Sequence, residues 1–126
     1  MRAADTNVLV RVLARDDDAQ TQLADSFVAE GAWVSLLVLQ ETIWVLERGY
    51  NVERNEQAVI VEMLLQHSTI ALEMPDLIAS ALALFKQGRI EFSDALVLEL
   101  ARRSAHLPLV TFDKRLAKTA GAELLR

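Results

Sequence analysis

Short runs of strand-forming residues alternate with amphipathic helical stretches along the whole chain, and this alternation limits the folds open to it. The strand segments are Ala3-Ala4, Trp33-Val34-Ser35, Thr69 to Leu72 and Leu109 to Phe112. The third is closed by Glu73 and Pro75, and in the last Pro108 restricts pairing at the first residues. Between them the spacing predicts helices over 6–14, 20–29, 36–48, 53–66, 77–86 and 93–104. The expected apolar faces are Val8-Leu9-Val12-Leu13, Leu23-Ala24-Phe27-Val28, Ala58-Val61-Leu64-Leu65, Ile78-Ala81-Leu82-Phe85 and Leu96-Val97-Leu100-Ala101. The stretch from Leu36 to Arg48 is apolar almost throughout. Gly31, Gly49, Gly88 and Gly121 each follow a helical segment, where a left-handed cap residue is wanted. The pattern predicts an α/β sandwich around a mainly parallel sheet flanked by helices, and the length of 126 residues suits one domain over 1–126.

Composition removes several classes of function. With no cysteine there is no disulfide scaffold, zinc–thiolate site, iron–sulfur cluster or cysteine nucleophile. No apolar run is long enough to span a bilayer, and a charge stands in the first residues where a signal peptide needs its apolar stretch. A soluble, cytoplasmic protein is expected. Thirteen Lys and Arg against 18 Asp and Glu give a net charge of −5, which argues against a nucleic-acid coat but not against an enzyme that handles nucleic acid at one patch.

Four carboxylates stand out. In a parallel sheet, ligands bind beyond the carboxyl ends of the strands, and Asp5 and Asp113 each occupy such an exit. Each is also well placed to cap a helix. Glu41 has Leu37, Val38, Trp44 and Val45 as its helical neighbours, so it is expected to be buried and to need a cation, a proton or an ion pair with Arg48 two turns on. Asp94 follows Ser93 at a helix start, where the dipole alone would favour an acid and Ser93 would be the cap. If the four converge, their repulsion demands bound cations. His67 and His106 fall in ordinary helix-end or loop contexts, so the ligand set is all hard oxygen, which selects Mg²⁺ or Mn²⁺.

These acids and their neighbours resemble the PIN-domain ribonucleases, and within them the VapC toxins of bacterial toxin–antitoxin pairs. The matching segments are Asp5-Thr6-Asn7-Val8-Leu9, Val34-Ser35 leading to Glu41, Phe92-Ser93-Asp94-Ala95-Leu96 and Thr111-Phe112-Asp113-Lys114-Arg115-Leu116. The resemblance implies a PIN-like three-layer sandwich and Mg²⁺- or Mn²⁺-dependent cleavage of RNA, with tRNA or ribosomal RNA as usual targets. It makes Asp5, Glu41, Asp94 and Asp113 the metal-site acids. Thr6 and Thr111 would orient ligands or the attacking water. It also implies a VapB-type antitoxin that silences the enzyme, and a homodimer. Residues 51–88 match no such motif, and part of the substrate choice is expected there.

Arg48 and Arg115, with Arg11 behind them, are the candidates for holding RNA phosphates beside the acids. Solvated surface charge is the plainer account of Arg11, Arg15 and Lys118. Trp44, Leu46, Tyr50 and the 53–66 helix carry more apolar surface than a small sheet needs, either as core or as a groove for an antitoxin segment. Two other classes fit parts of the pattern. A haloacid-dehalogenase-like or receiver-like phosphoryl-handling domain would use Asp5 as nucleophile, but Lys114 beside Asp113 is poorly placed for its lysine. A non-catalytic metal-binding module would keep the acids and lack turnover.

Overall fold

The strand β1 (Arg2–Ala3) leads directly into helix α1 (Thr6–Ala14), followed by α2 (Asp18–Ala29), β2 (Ala32–Val34), α3 (Leu36–Tyr50), α4 (Arg54–Gln66) and β3 (Ile70–Leu72). Then come α5 (Pro75–Phe85), α6 (Phe92–Arg103), β4 (Leu109–Thr111), a single 3-10 turn (Leu116–Lys118) and β5 (Ala122–Leu124). This computed structural model describes residues 1–126 and divides into two units, residues 1–75 and 76–126.

In the first unit β1, β2 and β3 lie side by side in that order, all parallel. Ala3 is opposite Trp33, and Trp33 opposite Ala71. Parallel neighbours cannot be joined by a tight turn, so helices make each crossover. The central strand shows the period of two: Ala32 and Val34 are wholly buried, whereas Trp33 between them is 38% exposed. Leu9, Leu39, Leu46, Val61 and Leu64 complete this core.

The second unit carries its own parallel pair, β4 with β5, in register Leu109 to Ala122. Its core is aromatic and aliphatic, with Phe85 and Phe92 edge to face at 5.7 Å and Ile78, Ala81 and Leu98 wholly or almost wholly enclosed. The α/β class and the parallel pairing agree with the sequence expectation. The strands, however, are shared between a three-stranded and a two-stranded sheet rather than joined in one. β5 and the 3-10 turn have too few residues to show a period.

Helix boundaries follow local chemistry. Asp5, Asp17 and Ser35 are N-caps whose side chains accept from backbone amides. Pro75 opens α5, its fixed φ suiting the first helical turn, so the residue expected to close a strand also starts the next helix. Gly49 does not cap α3. The helix runs through it, and Asn51 takes the left-handed cap at φ 56°.

Several apolar faces turn out rotated from expectation. On α2 Leu23 is 73% exposed while Thr21, Ala24 and Val28 are buried. On α6 Val97 and Leu100 face outward, and Phe92, Ala95, Leu96 and Leu98 face in. On α3 the inward stripe is Leu39, Thr42, Ile43 and Leu46, and Leu37 is 82% exposed. Leu46 is therefore core, not groove. Leu39→Ala should cost about 2–5 kcal/mol in a urea titration, and Leu37→Ala less than about 0.5 kcal/mol. Equal costs would contradict this assignment of faces.

Candidate functional site

The Ala4 amide donates to the Trp33 carbonyl at 2.8 Å, the last bond that holds the chain beside β2. The next residue turns the chain into α1. Asp5 is its N-cap, and one carboxylate oxygen, Oδ1, accepts from the Thr6 amide at 2.8 Å. Thr6 is buried, and its hydroxyl donates to Oε1 of Glu41 on α3. One residue thereby links the two acids, its amide to Asp5 and its hydroxyl to Glu41. Asp5, Thr6 and Glu41 line a cavity of about 400 Å³ with Asn7, Val10, Arg11, Val45 and Tyr50.

Glu41 is exposed, against the expectation that it is buried. α3 is apolar nearly all round, so its sequence could not say which face turns inward, and the line through Leu37, Glu41 and Trp44 is the outer one. Nor does Glu41 pair with Arg48. That guanidinium lies over the Trp44 ring, 5.7 Å from its centroid, with Glu47 at 3.9 Å. Arg11 is bound to Asp16, Gln20 and Tyr50, and Arg15 pairs with Asp25 at 2.7 Å.

The second unit holds the other two acids. α6 begins one residue before Ser93, with Glu91 as an N-cap that makes no side-chain cap bond, so Ser93 is not the cap. Asp94 stands in the first turn and is partly buried. Burial pushes its carboxyl pKa up, the negative charge of Asp113 pushes it further, and a bond from the Glu91 backbone only partly offsets the two. Asp113 is held both through its own amide and through one carboxylate oxygen. Its amide donates to Thr111 Oγ1 at 3.0 Å, and its Oδ1 accepts from the amides of Arg115 at 2.8 Å and Leu116 at 3.2 Å. Lys114, Arg115 and Lys118 are exposed.

The structure thus brings Asp5 together with Glu41, and Asp94 together with Asp113. It does not draw three or more His, Asp or Glu side chains into one group able to hold a metal ion. The donor chemistry still fits a hard divalent cation. All the donors are oxygens, and the repulsion raising the Asp94 pKa is what a cation would relieve. Asp5, Glu41 and Asp113 each engage one carboxylate oxygen in an internal bond and keep the other free. In the sequence Tyr50 stands out only as apolar surface, and Asp16 does not stand out at all. Asp16 lies five positions after Arg11, beyond the end of α1, and Tyr50 lies 39 positions away, so no helical spacing marks either as its partner.

Residues 3–122 match the PIN domain, and the chain belongs to that family. Among curated proteins it is similar to a VapC ribonuclease of Aquifex aeolicus (strain VF5), at 26% identity over 123 residues. That alignment covers 94% of this chain and 91% of the relative.

The raised Asp94 pKa has a definite sign for stability. The folded state favours the protonated carboxyl, so the stability it confers is greatest below the ordinary value of 3.8. That stability is lost as pH rises from 3.8 through the raised folded value. Asn has no charge to bury there. In chelator, Asp94→Asn should therefore melt at a higher temperature than the parent at neutral pH, with the gap closing below pH 3.8. A lower Tm at neutral pH would contradict the burial argument.

Proposed function

We propose that this protein is a Mg²⁺- or Mn²⁺-dependent endoribonuclease, the toxin of a toxin–antitoxin pair, acting in the cytoplasm on tRNA or ribosomal RNA. Its cognate inhibitor would be a VapB-type antitoxin, and the active form a homodimer. The observation that carries this reading is the Thr6-linked pair of Asp5 and Glu41 at the carboxyl end of a parallel strand, in a chain whose PIN match spans all four acids. The similarity to a protein named as a VapC ribonuclease gives it further support. No helix is long and apolar enough to cross a membrane.

Asp5, Glu41, Asp94 and Asp113 would hold the cation. When bound, it would ease deprotonation of water and stabilise the charge that builds on the phosphate oxygens. The chain's own residues prepare for this. The hydroxyl of Thr6 fixes the orientation of Glu41, and the amides of Arg115 and Leu116 fix the carboxylate of Asp113, whose own amide donates to the Thr111 hydroxyl. Arg48 and Arg115, both exposed, would take the backbone phosphates of the substrate. Leu37, Trp44, Val59 and Met63 are large apolar side chains left in solvent, an apolar surface that an antitoxin or a second copy would cover.

Purified, antitoxin-free protein should cleave total RNA in Mn²⁺ and stop on chelation. Asp5→Asn, Glu41→Gln and Asp94→Asn should each lose about 100-fold or more of the rate. Thr6→Val should lose about tenfold, because it only orients Glu41. The products should carry 5′-phosphate and 3′-hydroxyl ends, since water and not the ribose 2′-hydroxyl attacks. Cyclic 2′,3′-phosphate ends would refute the mechanism, and undiminished cleavage by all the acid variants would refute the function.

A further inference from the structure

The cavity beside Asp5 and Glu41 has two chemically different ends. Its α3 wall is formed by Glu41 and, one turn on, Val45. The next position on that line is Gly49, where an added Cβ would meet nothing within 4 Å. The absent side chain leaves space there, and Tyr50 closes the helix. Tyr50 lies nine positions beyond Glu41, about 13 Å along the helix axis. The acids mark one end, and a tyrosine with an arginine marks the other.

Tyr50 is the only tyrosine in the chain, and it is 38% exposed although it lines the cavity. Its hydroxyl donates to Asp16 Oδ2 at 2.7 Å and accepts from Arg11 Nη1 at 3.4 Å. Arg11 also reaches Asp16 Oδ1 at 3.0 Å through Nη1 and Gln20 Oε1 at 2.6 Å through Nε. These bonds hold the phenol by its hydroxyl rim. They set the charge of Asp16 against that of Arg11, with Asp17 also within electrostatic reach of the guanidinium. They leave Arg11 Nη2 unengaged.

We infer that this trough is a nucleotide subsite of the ribonuclease site proposed above, on which reading it rests: the base of a nucleotide flanking the cleaved bond stacks on Tyr50, and its phosphate meets Arg11 Nη2. A half-exposed aromatic ring offers a π-face to any base. A guanidinium nitrogen left free beside it offers a donor to the linked phosphate. Single-stranded RNA presents both groups on one unit, because its bases are unstacked and reachable. The helix rise between Glu41 and Tyr50 puts the stacked base on a neighbour of the scissile phosphate rather than at it. If Tyr50 were only a brace between α3 and the loop holding Asp16, its hydroxyl would be the part that matters. As a platform, its ring is.

Two measurements separate these roles. A single 3-fluorotyrosine places one fluorine at position 50, and its resonance can be followed in the Asp94→Asn chain with Mg²⁺, where cleavage is slow. A short single-stranded oligoribonucleotide of mixed sequence should shift that resonance, and an abasic strand of the same length should not. In the otherwise unaltered enzyme, Tyr50→Leu should raise KM for the same oligonucleotide about tenfold with kcat little changed, as loss of one stacked base implies. Tyr50→Phe, which keeps the ring and loses the hydroxyl bonds, should stay close to the parent KM. Equal shifts from intact and abasic strands would overturn the inference. So would an unchanged KM in Tyr50→Leu, or Tyr50→Phe failing as badly as Tyr50→Leu. If the unaltered enzyme cleaves RNA while these tests fail, only the subsite is lost. If it cleaves no RNA with either cation, the nuclease reading falls and takes the subsite with it.

Discussion

Thr6 sits where two requirements meet. Its amide is the first of α1 and needs an acceptor, which Asp5 provides. Its hydroxyl is buried and needs a partner, which Glu41 provides. Satisfying both brings two acids that are far apart in the sequence, Asp5 and Glu41, onto one cavity, although like charges would otherwise keep apart. The parallel strands make this possible, because β1 ends where α1 begins and β2 ends where α3 begins. The same economy appears at Asp113, which closes the turn at residues 113–116 with one oxygen. Capping and ligand roles, which compete when a sequence is read one residue at a time, are compatible here because a carboxylate has two oxygens.

The cost of the arrangement is electrostatic, and it is borne mainly by Asp94. An acid in the first turn of a helix ordinarily gains from the dipole. Asp94 has that position and a backbone bond, yet its pKa is still raised, by burial and by Asp113. A residue that destabilises its own charged form in the folded state is poor structural chemistry and good site chemistry. In the first unit Asp5 and Glu41 are both exposed to solvent.

The sequence was most legible where a local rule suffices. Asp5 at a strand exit and the start of α1 at Thr6 both depend on neighbours within four residues, whereas the caps at Asp17 and Ser35 appear only in the structure, Ser35 having read as the end of a strand. The periodicity of α5 was also sufficient, since Ile78, Ala81, Leu82 and Phe85 are all buried. It failed where apolar residues exceed what the core can take. α3 has Leu37, Trp44 and Val45 as well as Leu39, Ile43 and Leu46, and which set turns inward depends on the sheet, not on the helix. The expectation that Glu41 is buried failed for that reason. The division into two sheets, the three-residue β5 and the cluster of Arg11, Asp16 and Tyr50 are products of pairing across the fold.

The surplus apolar surface of α3 and the exposure of Glu41 have one origin. Leu37, Glu41, Trp44 and Arg48 follow one another at spacings of four, three and four, so a single outer line of α3 carries an acid between large apolar residues and ends in an arginine laid over Trp44. A helix built only to pack would put such residues inward or make them polar. Turning the line outward keeps the free oxygen of Glu41 accessible while Thr6 fixes the other from behind. The inward line of Leu39, Thr42, Ile43 and Leu46 is buried and holds the helix in place. The helix has a buried anchoring face and an accessible outer face, which is why substitutions on the two faces should act on different properties.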